Sequence, residues 1–158
     1  SGRSQEISRL IARSLRSCVN LYKLKDIQIT VDCDVLQADG GTRTAAITGG
    51  YVALEQAVQY LMRKGEISEN PLLNQVAAIS VGIVEKSPML DLCYQEDSNA
   101  ETDCNFVINN QGGLVEIQGT AEETSFSRDE FNQMLDLAIK GCDELHGLQK
   151  QALAKGSQ

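Results

Sequence analysis

Three groups of residues have the types and spacing to do chemistry. The first is "ADGGTRT", residues 38–44, set between an alternating segment, "DIQITVDCDV", and a helix-patterned one, "TGGYVALEQAVQYLM". A helix N-terminus carries N–H groups without intrahelical partners and the positive end of the helix dipole. Gly40 and Gly41 would let backbone close on an anion. The hydroxyls of Thr42 and Thr44 can cap the helix or bind the ligand, and Arg43 adds a forked cation suited to phosphate oxygens. The Walker A pattern is absent, and Asp-Gly-Gly before a Thr-capped helix is more often a plain turn. The second group is "QEDSNAETD", which concentrates Glu96, Asp97, Glu101 and Asp103 in eight residues. Asp97-x-Asn99-x-Glu101 has calcium-loop spacing, but Thr102 replaces the required glycine and Ile108 the terminal glutamate, so that motif is excluded. Clustered carboxylates can hold a Mg²⁺-type ion through one or two oxygens, or keep one acid protonated for proton transfer. The plainer alternative is a solvated acidic turn with Asp97 as a helix N-cap. The third group is His146, one helical turn after Cys142. It is the sole histidine, which leaves little room for Ser-His or Cys-His chemistry, and it reads as a surface or packing residue.

The elements that must position these groups follow from periodicity. Residues 4–20 place Ile7, Leu10, Ile11, Leu15, Cys18 and Val19 at helical spacing, with Ser4 available as N-cap. Arg9, Arg13 and Arg16 form a basic stripe on that helix, either a binding face or a solvated one. Residues 26–36 alternate cleanly and predict a strand with Ile27, Ile29, Val31, Cys33 and Val35 on one face. A helix is expected over 43–63, with Gly49 and Gly50 marking a turn against which something packs closely. "QVAAISVGIVEK" and "MLDLCYQ" read as strands around a turn near Lys86–Pro88. "CNFVINNQGGLVEIQGTA" reads as a hairpin with its loop at 110–113. A capping box, Ser127-x-x-Glu130, opens the last helix. The order αβα-ββ-ββ-α predicts an α+β fold with helices packed on a mixed or antiparallel sheet, in one domain spanning 1–158.

Composition narrows the function. Hydrophobic residues make up 42% of the 158, enough for a real core. No apolar run approaches the about 18 residues of a membrane span, and no signal-peptide pattern opens the sequence. Five scattered cysteines without a C-x-x-C pair favour reduced, mostly buried thiols in a cytosolic protein over disulfides or a zinc site. With no Trp and few aromatics, base stacking cannot dominate any nucleic-acid binding. The net charge of −8 opposes a polyanion partner, yet its distribution does not. Residues 1–25 carry six basic residues against Glu6 alone, while residues 88–130 carry ten acids against Arg128. A basic surface beside an acidic pocket is one reading; two differently charged solvated faces is the other.

Taken together, "GRSQEISRLIARSLR", "ITVDCDVLQADGGTRTAAITG", "AAISVGIV" and "EDSNAETDCNFV…GGLVEIQGTAE" closely resemble the bacterial ribonuclease PH family. The resemblance runs in order over essentially the whole chain. It implies a ribosomal protein S5 domain-2-like fold and phosphate-dependent 3′→5′ exoribonuclease activity that trims transfer RNA precursors. Nucleoside diphosphates are released, and the reaction reverses as nucleotidyl transfer. It further implies inorganic phosphate as co-substrate, held at Arg3, Gly41, Thr42 and Arg43, and a Mg²⁺-like metal or general acid at Asp97 and Asp103. The basic helix with Arg9 and Arg13 would face RNA. The expected setting is cytoplasmic, in a hexameric ring of dimers. A non-catalytic RNA-binding or scaffolding ring subunit is the alternative. The sequence begins with Ser1 and lacks the family's N-terminal third, as a processed product or fragment would. The expectation is therefore a chain that is poorly soluble or inactive by itself.

Overall fold

The computed structural model describes residues 1–156. Helix α1, Gly2–Arg16, is capped by Ser1, whose hydroxyl accepts the Ser4 N–H, so the predicted cap at Ser4 moves three residues upstream. The helix stops at Arg16, short of residue 20, and a 3-10 turn, Leu21–Lys23, follows under the side chain of Asn20. Helix α2 runs Thr42–Arg63, close to the predicted span. A Cβ on Gly50 would stand 3.5 Å from Leu15, ordinary contact distance, so α1 packs against this turn without requiring glycine, and a Cβ on Gly49 would meet nothing.

The predicted strand over 26–36 does not form. Alternation is a burial signal, and a strand also needs a neighbour to complete its hydrogen-bond ladder. Here the burial is served without the ladder. Ile27, Ile29 and Val31 pack against the core made by α1 and α2, while Cys33 and Val35 are exposed.

The sheet comes later in the chain. Strands β1 (Val76–Val84), β2 (Ser87–Leu90), β3 (Thr102–Asn109) and β4 (Leu114–Ala121) pair antiparallel in the order β2-β1-β3-β4. "MLDLCYQ" yields strand only to Leu90. Asp91 takes a left-handed φ of 58°, which breaks the ladder, and Cys93 then caps a short helix α3, Tyr94–Ser98. Helix α4, Arg128–Lys155, opens on the predicted capping box.

Strand periodicity sorts the two faces. Ala77, Ile79, Val81, Ile83, Cys104, Phe106 and Ile108 point to α4 and bury Met134, Ala138 and Cys142. Val76, Ala78 and Val107 point the other way, onto Ile47, Tyr51, Leu54 and Val58 of α2. Each fully buried Val, Leu, Ile, Phe or Met among them contributes about 1.5–3 kcal/mol. β2 pairs with Val81–Val84, leaving the first half of β1 with a free edge on that side. Two helices cover it. Thr48 Oγ1 accepts from Ala78 N at 3.0 Å and donates to Ala78 O, while Gln149 Nε2 donates to Val76 O at 2.9 Å and to Thr48 O at 3.0 Å.

Candidate functional site

The strand-like segment hands over to α2 through a turn that has to pass very close to another part of the chain. A Cβ on Gly40 would overlap the Leu92 carbonyl oxygen, so glycine lets the turn lie against the segment leading into α3. Asp39 fastens the two together: its carboxylate accepts from Gly40 N at 2.8 Å and from Tyr94 N at 2.6 Å. Those two bonds hold the Asp39 carboxyl below its usual range. Gly41 sits at α2's N-cap with a left-handed φ of 73° and offers no side-chain cap. The first-turn N–H groups of α2 therefore face outward without a side-chain acceptor. Thr44 turns the other way, buried, with Oγ1 donating to Gly41 O at 2.9 Å, so of the two threonines Thr42 is the one that lines the cavity.

Beneath the turn, the sheet supplies a polar floor. Ser80, Asn105 and Gln118 stand in one cross-strand row, and Gly82, Asp103 and Thr120 in the next. They lie on the face that α2 covers, further along from Ala78. Ser80 Oγ and Asp103 Oδ1 are buried without a hydrogen-bond partner, two of four such side-chain atoms among the described residues. The Asp103 carboxyl is pushed up to about 6, first by burial, then by the charge of Asp97; Arg43 opposes the shift and Glu122 adds to it. Asp97 reaches this point from α3 and is not a helix N-cap, since Cys93 takes that place.

Arg3, Thr42, Arg43, Ser80, Asp97 and Asp103 thus line one cavity of about 840 Å³. Arg43 Nη1 donates to Glu6 Oε1 at 2.7 Å, tying α2 to α1, and no other hydrogen bond among the described residues engages its guanidinium. The basic stripe does not act as a unit. Arg13 donates to Glu116 of β4 from Nη2 at 2.7 Å and from Nε at 3.2 Å, while Arg9 is exposed and makes no ion pair among the described residues. Arg16 belongs to a separate, mostly aliphatic cavity of about 710 Å³ between α1, α2 and residues 27–35. His146 and Cys142 are buried packing residues; His146 Nδ1 lies 3.2 Å from Gln149 Oε1. Cys18, Cys104 and Cys142 are buried free thiols, and Cys33 and Cys93 are exposed ones.

Asp39, Glu6, Ser80 and Asn105 were not singled out from sequence. A lone serine in "VAAISVGIV" was the available signal, because a buried polar residue normally needs a partner. Asp39 and Glu6 act through partners 55 and 37 residues away, which no local pattern encodes.

Whether the carboxylates suit a metal is decided by Asp103. No group of three or more His, Cys, Asp or Glu converges among the described residues, so a dedicated protein cage is absent there. Mg²⁺ ordinarily uses one or two carboxylates and takes its remaining oxygens from water and substrate phosphate. The buried, unpartnered Oδ1 of Asp103 beside the charge of Asp97 fits that smaller donor set.

Comparison with known proteins places these features in a wider group. Residues 1–58 match domain 1 of the 3′ exoribonuclease family, and residues 74–141 match its domain 2. The chain is 57% identical over 155 residues to ribonuclease PH of Crocosphaera subtropica, covering 98% of this chain and 65% of that protein. It thus spans about two thirds of the length of the curated relative it matches. Among solved structures it resembles rice (Oryza sativa) Rrp46, with TM-score 0.70 and 17% identity over 98% of this chain and 67% of that one. It also resembles the Archaeoglobus fulgidus exosome with RNA bound to its active site, with TM-score 0.67 and 18% identity over 92% and 61%. At those identities the likeness concerns the fold. No helix among the described residues is long and apolar enough to cross a membrane.

Proposed function

The chain belongs to the 3′ exoribonuclease family, and we propose that it serves the phosphate-dependent, 3′→5′ shortening of RNA. In this reading Arg3, Gly41, Thr42 and Arg43 hold the attacking inorganic phosphate. The observation that carries it is the convergence, in one cavity, of an uncapped helix N-terminus and two arginines with Asp97 and Asp103.

Phosphorolysis brings two anions together. An oxygen of inorganic phosphate attacks the phosphorus of the terminal phosphodiester, and the bond from that phosphorus to the neighbouring 3′-oxygen breaks. The terminal nucleotide departs as a nucleoside diphosphate, and the 3′-oxygen takes a proton. Arg3, Arg43 and the α2 dipole lower the repulsion and align the attacking oxygen. Arg43 Nη1 stays with Glu6, which leaves the rest of its fork for phosphate. Asp103, with its carboxyl raised to about 6, is partly protonated near neutral pH and has a proton to give the leaving oxygen. In the alternative role, as carboxylates, Asp97 and Asp103 would hold a Mg²⁺-like ion, which when bound supplies charge stabilisation to the transferring phosphoryl group.

The substrate class we assign is transfer RNA precursors and other RNA 3′ ends, the reverse reaction being nucleotidyl transfer. Of the Arg9 and Arg13 pair, Arg9 extends the RNA path along α1, while Arg13 lies beside it tied to Glu116. We take 1–158 as one domain of a hexameric ring of dimers, working in the cytoplasm, where five free thiols remain reduced. The test is incubation of the protein, supplemented with the N-terminal third of a ribonuclease PH as a separate chain, with a transfer RNA precursor, with and without phosphate, alongside Arg43→Ala. Nucleoside diphosphates should appear in the presence of phosphate and fall at least about 100-fold in the variant. Shortening at equal rate without phosphate would sink the reading, and a folded protein that binds RNA but never shortens it would make it a scaffold.

A further inference from the structure

We propose that Ser80 is a further phosphate-binding residue, its hydroxyl donating to the inorganic phosphate from beneath, opposite the α2 N-terminus. The proposal rests on the phosphate reading of the cavity and goes beyond it, since Ser80 lies outside the Gly-Thr-Arg turn and the acidic pair.

Three observations carry it. Ser80 is 4% exposed and lines the cavity, yet its Oγ has no hydrogen-bond partner. A hydroxyl sealed from water without a partner weakens a fold, so such a group calls for an explanation. Its position is also specific. Along β1, Ala78 is taken up by Thr48 of α2, and Ser80, two residues on, comes under the start of the same helix. A Cβ on Gly41 would stand 3.4 Å from Ser80 Oγ, so the hydroxyl sits directly against the N-cap whose N–H groups face the cavity. Gly41 and Ser80 line the same cavity. Finally, strand packing does not require the hydroxyl. The neighbours of Ser80 on that face of β1 are Ala78 and Gly82, and alanine would fill the same place.

The experiment is Ser80→Ala, read by melting of the free protein and by titration with inorganic phosphate. A parallel arm titrates an oligoribonucleotide without phosphate, because a scissile phosphodiester could supply the same oxygen chemistry. The free variant should melt no lower than the parent, since it loses an unpartnered polar atom. Its phosphate dissociation constant should rise about tenfold, while oligoribonucleotide binding is unchanged. Unchanged phosphate affinity, a weakening confined to the oligoribonucleotide, or a clear fall in melting temperature would each overturn the assignment. If the parent protein binds no phosphate at all, the phosphate reading falls together with it. If the parent binds and Ser80→Ala binds equally well, the assignment of Ser80 alone fails.

Discussion

One face of the sheet, covered by one helix, has two ends of opposite character. At the end formed by Val76, Ala78 and Val107, α2 contributes Ile47, Tyr51, Leu54 and Val58, and the contact is dry. The exposed backbone of β1 is closed there by Thr48 and Gln149. Moving from Ala78 to Ser80 and from Val107 to Asn105 brings in polar side chains, and the next row adds Asp103. At this second end, the helix shows its N-terminus to a cavity, and two buried polar atoms have no partner. The same strands and helix thus anchor the fold at one end and leave a set of unmet polar demands at the other. Rigidity at the first end is what can hold those demands in place at the second.

The sharpest way to break this contrast is at the dry end. Leu54 is 5% exposed and truncating it leaves a cavity against β1 and α1. Leu54→Ala should cost about 3 kcal/mol of stability by chemical denaturation. Phosphate affinity of the remaining folded protein should be little changed. A loss of phosphate affinity exceeding the loss of folded protein would show that the two ends are not separable.

The opposite sign is expected at the polar end. Asp103 has a folded-state pKa of about 6 against 3.8 for the free carboxyl. A raised carboxyl pKa means that the folded state binds the proton more tightly. The favourable contribution is full below about 3.8 and is lost as pH rises through about 6, so at neutral pH the buried charge is a burden. Because the carboxyl is only partly buried and solvent screens part of the shift, Asp103→Asn should stabilise the ligand-free protein by no more than about 1–2 kcal/mol at pH 7, with the gain vanishing toward pH 4. A variant no more stable than the parent at pH 7 would mean that the carboxylate is better compensated than its surroundings suggest. The same substitution should depress turnover, which is the usual cost of a site held ready for its ligand.

Much of the dry end was legible in the sequence, because burial leaves a period. The span of α2, the β3–β4 hairpin and the capping box of α4 all followed from spacing and local chemistry. Residues 26–36 show the boundary of that logic. The period recorded which side chains are buried but not whether a ladder partner exists, and a strand requires both. Similarly, "MLDLCYQ" was apolar enough for a strand, but the left-handed Asp91 and the capping of α3 decide where it stops. At the site, glycines, threonine, arginine and clustered acids announced themselves by type. Ser80, Glu6 and Asp39 did not, because their significance depends on which distant residue they meet.

The smallest expected effect concerns how far the polar end extends along α1. Arg9 and Arg13 share one face in sequence, but Glu116 already neutralises Arg13, and that bond raises the guanidinium pKa further. A neutralised arginine releases little counterion on meeting a polyanion, whereas an unpaired one contributes fully. Arg9→Ala should thus weaken RNA binding severalfold at low salt and reduce the salt slope by about 1, while Arg13→Ala should change the slope by clearly less. Glu116→Gln provides the reciprocal measurement. Freed of its partner, Arg13 would add to the attraction and steepen the slope. If Arg9→Ala leaves the slope untouched, the basic stripe is a solvated face, and the polar end stops at Arg3 and Glu6.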